Sequence, residues 1–125
     1  MQPHAPVEAP APNLYLMPVV TNRFGMPPEY GQAQKTFEDA QKLYESGKPE
    51  KAAPLFMKVA ELVKPPKPET NYTESFAKMR SVAYKDARLA FKQAGDQAAG
   101  KAALTAAAKT DLANADLLKK LIGEL

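Results

Sequence analysis

A chain of 125 residues with 45% apolar and 25% charged residues has the composition of one ordinary globular domain, which excludes collagen-like, wholly low-complexity and membrane-spanning classes. Cysteine is absent and the single histidine, His4, stands in a Pro-rich stretch, so disulfide frameworks, thiolate zinc sites, cysteine nucleophiles and multi-histidine metal centres are excluded as well. The formal net charge of +3 is spread, with Lys and acidic residues interleaved along the body, unlike the concentrated basic footprint of a nucleic-acid binder.

The first element in chain order is an arm, residues 1–31. It holds seven of the twelve prolines and no helical periodicity, a pattern of extended, polyproline-like backbone. Within it the stretch NLYLMPVV, residues 13–20, sets six apolar residues beside Pro18. Side chains of this kind gain by leaving water, so the stretch is expected to dock. Its destinations are the chain's own concave face, or a groove or sheet edge on a neighbour, and Leu14, Tyr15, Leu16, Val19 and Val20 are its expected contact residues. No basic region precedes it and Pro18 interrupts it, so it does not read as a secretory signal. The chain is therefore expected to be cytoplasmic or a mature fragment.

From residue 32 to 125 the pattern is helical. In the first helix Ala33, Phe37, Ala40 and Tyr44 recur at steps of four, three and four, with Leu43 beside them, and Gly47 stops it. In the second, Ala52, Leu55, Phe56, Val59 and Val63 share one side, and Pro54 is expected near the first turn, where its missing N–H costs little. The third begins with Asn71 and Glu74 at capping-box spacing and carries a stripe of Tyr72, Phe76, Met79, Ala83, Ala87, Ala90 and Ala94. Opposite lie Lys78, Lys85, Arg88 and Lys92, read as a solvated face. The fourth, QAAGKAALTAAAK, has Asp96 as its cap and alanines that imply close packing. The last, DLANADLLKKLIGEL, has Asp111 as its cap and a stripe of Leu112, Ala115, Leu118, Ile122 and Leu125, widened by Leu117 and Leu121.

Two segments echo each other. FEDAQKLY (37–44) and YKDARLAF (84–91) share an aromatic, an Ala three residues on and an aromatic four further. Each leads to a Gly turn and then to a small residue with a larger apolar one four later, Ala52 with Phe56 and Gly100 with Leu104. Over residues 32–110 this resembles the tetratricopeptide repeat, in which small residues let paired helices cross closely and large ones fill the space between pairs. YESGKPEKAAPLFMKVAEL, with Pro65 after it, matches the turn and second helix of one repeat. The second copy lacks the closing Pro, Ala-Gln and Ala-Arg replace the family's Leu-Gly pair, and the two turn glycines stand 48 residues apart against a usual period of about 34.

The resemblance implies an all-α fold of antiparallel helix hairpins, about two degenerate repeats plus a C-terminal capping helix, behind the extended N-terminal arm. It also implies a binding module whose first helices line a groove for an extended peptide or a partner helix. By that resemblance Gln41, Tyr44, Lys85, Leu89 and Lys92 face the groove. Some members clamp a C-terminal carboxylate with Lys and Asn one turn apart; here Leu89 follows Lys85, which does not support that mode.

No catalytic constellation is visible: there is no Gly-rich phosphate loop, no Ser or Thr with a candidate base and no metal-ligand spacing. Glu38-Asp39 and Lys85-Asp86 are adjacent pairs that diverge on a helix and read as solvated charge. Asn71-Tyr72-Thr73 is formally a glycosylation sequon. The expectation is a non-enzymatic adaptor or scaffold with no cofactor, metal, small-molecule substrate or membrane span, whose partner is another protein. The alternative is a structural subunit of a larger assembly anchored by the arm, and a third reading is nucleic-acid binding through the basic row of the third helix. A Pro/Ala-rich arm ahead of such a domain resembles the tether of bacterial exported or envelope proteins, which points to the periplasm or cell envelope; intracellular adaptors share the feature.

Overall fold

The computed structural model describes residues 13–17, 28–64 and 73–125. Helix α1 spans Pro28–Glu45, α2 Pro49–Leu62, α3 Thr73–Gln93, α4 Gln97–Thr110 and α5 Ala115–Gly123, with a 3-10 turn at Leu112–Asn114 between the last two. There is no strand among the described residues, and neighbouring helices pack on one another in chain order. The expected all-α arrangement of helix hairpins is thus present.

Spacing dictates the core. Ala33, Phe37, Ala40 and Tyr44 are all buried on α1, and Tyr30 extends their row. The helix starts at Pro28, inside the stretch that composition assigns to the arm. Proline suits a first helical position, and Glu29 complements the positive end of the helix. On α2 the buried set is Ala52, Ala53, Phe56, Val59 and Ala60. The Phe37 and Phe56 rings meet edge to face, with centroids 5.3 Å apart and planes at 70°, the geometry that aromatic quadrupoles favour. Pro54 lies further in than expected, as the sixth residue of α2, so one helical hydrogen bond is forfeited there. Pro54 and Glu50 both lie on the exposed side of the helix.

The two Gly turns are built alike. Gly47 and Gly95 take φ of 82° and 72°, a region that glycine enters without strain. In the first, Gly47 N–H donates to Tyr44 O and Lys48 N–H to Leu43 O; in the second, Gly95 N–H donates to Lys92 O and Asp96 N–H to Phe91 O. These are paired Schellman bonds. The turns are related by a shift of 48 residues, whereas the aromatic and Ala positions of FEDAQKLY and YKDARLAF are related by 47. One residue corresponds to about 100° of helix rotation, so α3 presents a different face to its turn than α1 does.

The cap expectations need correction. Asp96 stands at the start of α4 as assigned, whereas Asp111 precedes the 3-10 turn and Asn114 stands at the start of α5; neither aspartate side chain makes a capping hydrogen bond. Asn71 lies outside the described residues. The last helix does not run from Asp111; a 3-10 turn intervenes, Leu112 is 80% exposed, and the buried residues of α5 are Leu118 and Leu121. The cause is that Asp111 turns inward. Its Oδ2 accepts from Arg80 Nε at 2.7 Å, Tyr84 Oη at 2.8 Å and Asn114 Nδ2 at 3.1 Å, and its Oδ1 accepts from Arg80 Nη2 at 3.2 Å. Arg80 Nη1 donates to Val63 O at 2.7 Å, and Asn114 Nδ2 also donates to Ala77 O. Burial pushes the Asp111 carboxyl up, but the Arg80, Asn114 and Tyr84 donors outweigh it and hold it below its ordinary range. Burial and the Asp111 bond keep the Tyr84 phenol protonated.

Helix α4 packs closely only near its start. A Cβ on Gly100 would meet Phe91 Cβ at 2.9 Å and Leu125 Cδ1 at 3.0 Å. Beyond that point only Leu104 is buried on α4, and a cleft of about 770 Å3 opens between α2 and α4.

Arg80→Ala leaves Asp111 buried without its bidentate partner and is expected to destabilise the fold by about 3–5 kcal/mol in urea unfolding. Because the Asp111 pKa is depressed, its contribution is present above the unfolded value of 3.8 and is lost as pH falls through the folded one. The acid-unfolding midpoint of Arg80→Ala should therefore move to higher pH. Gly100→Ala gains about 1 kcal/mol of helix propensity but overpacks Phe91 at a cost of about 1–3 kcal/mol, so a net loss on the order of 1 kcal/mol is expected in the same assay.

Candidate functional site

Asp86 has 0% exposure, which overturns its reading as solvated charge. Its position explains the burial: it follows Ala83 by three residues and precedes Ala90 by four, and both alanines are fully buried, so helical spacing places it on the same face. A buried carboxylate needs donors. The described donor is the main chain of the arm: Tyr15 N–H donates to Asp86 Oδ1 at 2.7 Å. Asp86 Oδ2 is buried and accepts from no donor among the described residues.

Residues 13–17 thus meet α3 at Lys85 and Asp86 in non-helical form. Lys85 Nζ stands 4.9 Å from the centroid of the Tyr15 ring, a cation–π arrangement worth about 0.5–1 kcal/mol where it is half exposed. Leu14 and Met17 pack against the core, half-buried. Leu16 faces away from the body and is 79% exposed.

Helix α1 joins the site through Tyr44. Its phenol is pushed above the usual range by burial and then by the Asp86 charge, with Arg88 acting the other way, so Tyr44 lies within electrostatic reach of both. Arg88 also reaches Glu124 beyond α5 at 3.6 Å, and its Nε is buried without a partner among the described residues. The basic row of α3 is therefore not uniformly solvated. Lys78 and Lys92 are exposed, while Lys85 lies over Tyr15 and Arg88 is turned inward.

Of the expected contact residues, the structure brings Leu14, Tyr15, Tyr44 and Lys85 to this site. Leu89 is buried on α3, Gln41 is half-buried on α1, and Lys92 is exposed one helical turn beyond Arg88. Val19 and Val20 lie outside the described residues. Asp86 and Arg88, read from sequence as solvated charge, belong to the site or its surroundings, and Arg80 was not singled out at all. For Asp86 and Arg80 the signal was available, since a charge spaced three and four residues from buried alanines or from Phe76 and Ala83 belongs to the apolar face.

Burial drives the Asp86 carboxyl up to about 7, against the Tyr15 N–H and the Lys85 charge, which both lower it. Such a carboxyl accepts one main-chain hydrogen bond and takes up or releases a proton near neutral pH. The cleft between α2 and α4 offers less chemistry. Its walls include Met57, Ala103 and Ala107, and on its floor the Arg80 nitrogens and the Tyr84 hydroxyl donate to Asp111 and Val63. Among the described residues no group of three or more His, Cys, Asp or Glu could hold a metal ion, and no helix is long and apolar enough to cross a membrane.

Comparison with protein-family models, with curated proteins and with solved structures returns no match.

The raised pKa of Asp86 fixes the sign of one pH effect. The folded state holds a proton that the unfolded chain releases from 3.8 upward, so the stability associated with the protonated carboxyl is complete below about 4. It is lost as pH rises to about 7, by up to roughly 1.4 kcal/mol per pH unit. Asp86→Asn should flatten the stability profile between pH 4 and 7 and leave the acid limb set by Asp111 in place, as read by chemical denaturation across that range.

Proposed function

We propose that this protein is a non-catalytic interaction module, a tetratricopeptide-like adaptor that holds an extended segment of a partner protein on the face formed by α1 and α3. The observation that carries the reading is the seating of residues 13–17 on α3: the body binds uncoiled chain through a main-chain N–H on Asp86 and an aromatic ring beneath Lys85. Recognition through the partner's backbone supplies affinity without dictating sequence, and the flanking apolar contacts add selectivity. The repeated Schellman turns and the buried aromatic and Ala positions that recur in α1 and α3 are consistent with paired helix hairpins of that family.

A second reading, a subunit of a larger assembly, is favoured by Leu16 and Leu112. Both are large apolar side chains turned to solvent, at 79% and 80% exposure, and they lie on separate parts of the chain. In that case partner contact is made by these outward residues and not by the α1–α3 face.

Site-resolved photo-crosslinking separates the two. With a photoreactive residue in place of Lys92, which is exposed beside the α1–α3 face, the adaptor reading expects one discrete partner that is lost when Lys85 and Leu89 are both changed to Glu. Crosslinks formed from position 16 or 112 but not from position 92 would give the function to the assembly reading instead.

A further inference from the structure

We propose that residues 13–17 are a displaceable occupant of the α1–α3 face, holding it in cis until an extended segment of another protein, with an aromatic residue set between aliphatic ones, takes their place. This deepens the function proposed above and rests on it.

The seated segment supplies the chemistry of its replacement. One main-chain N–H meets Asp86, one ring lies beneath Lys85, and the aliphatic side chains on either side, Leu14 and Met17, meet the core. Any residue except proline can provide the N–H; the ring and the aliphatic pair select. The seated segment is itself open to solvent: Tyr15 is 48% and Leu16 79% exposed.

The site beneath is also unsaturated. Asp86 Oδ2 and Arg88 Nε are buried without described partners, so an incoming segment that brings another donor to Asp86 satisfies a group that the arm leaves wanting. Residues 18–27, ten in number, join the arm to α1. While attached, the arm competes at the millimolar effective concentration typical of a short tether, so a free segment binds the intact chain weakly.

Fluorescence anisotropy with a labelled peptide of residues 10–20 tests this on the full-length chain. Tyr15→Pro in the chain removes the N–H that Asp86 accepts, and Tyr15→Ala keeps the N–H and removes only the ring. The peptide should bind the Tyr15→Pro chain at least about 10-fold tighter than the wild type, because the competent fraction rises, with Tyr15→Ala between them. Adding Asp86→Ala to the Tyr15→Pro chain, or the same Tyr-to-Pro change in the peptide, should abolish the gain. Equal affinity for wild type and Tyr15→Pro, or a gain that survives Asp86→Ala, would overturn the proposal. Sedimentation equilibrium supplies a further check: a wild type that is monomeric at the assay concentration supports docking in cis, and a dimer that Tyr15→Pro dissociates overturns it in favour of arm exchange between two copies. If partner crosslinking at position 92 is as efficient in wild type as in Tyr15→Pro, displacement is wrong while the interaction module stands.

Discussion

The carboxylate of Asp111 is the point at which three parts of the fold are fixed to one another. It accepts from Arg80 and Tyr84 of α3 and from Asn114 in the turn before α5. Arg80 in turn donates to the carbonyl of Val63, at the end of α2, where helical carbonyls lack intrahelical partners. One buried guanidinium thus closes the C-terminus of one helix and holds the start of another. Neither charge is tolerable alone in that position, since desolvation of an unpaired ion costs several kcal/mol. The pair is therefore less a source of net stability than a condition on geometry: α2, α3 and the α4–α5 junction have to meet there.

That condition explains the shape of the C-terminal half. Helix α4 is held near its start by contact of Gly100 with Phe91 and at its end by Asp111. Between the two anchors its side chains are mostly alanines, which cannot span the distance to α2. The cleft is what remains. Turning Asp111 inward also ends regular helix at that residue, which is why Leu112 points to solvent and α5 begins only at Ala115.

Much of the fold was legible because it rests on periodicity. Steps of three and four in α1, α2 and α3 mark residues that are buried, and Gly47 and Gly95 mark turns whose positive φ requires them. What residue type obscured was that charged residues at core spacing can be drawn in. Arg80 and Asp86 both sit at core spacing on α3, yet charge alone suggests solvent; their burial depends on partners 31 and 71 residues away in sequence. The docking segment was legible as an apolar anomaly, but its contact with Asp86 was not, because the contact runs through the main chain of Tyr15 and main-chain donors leave no trace in residue types.

The two buried aspartates show how donor number decides the state of a carboxylate. Both are withdrawn from water. Asp111 accepts four hydrogen bonds, two of them from a guanidinium, and its ionised form wins against desolvation. Among the described residues Asp86 accepts one, from a neutral amide, and desolvation wins. The arm and the proton are therefore coupled on Asp86: the Tyr15 N–H favours the ionised carboxyl, and by reciprocity the ionised carboxyl favours the seated arm. Any group that adds a donor at Asp86 acts on the same balance and shifts it in the direction of Asp111. A segment that delivers only a backbone amide leaves Asp86 near the point of titration, whereas one that also delivers a second donor fixes it as a carboxylate. The physical difference between a provisional occupant and a firm one is thus contained in a single side chain of α3.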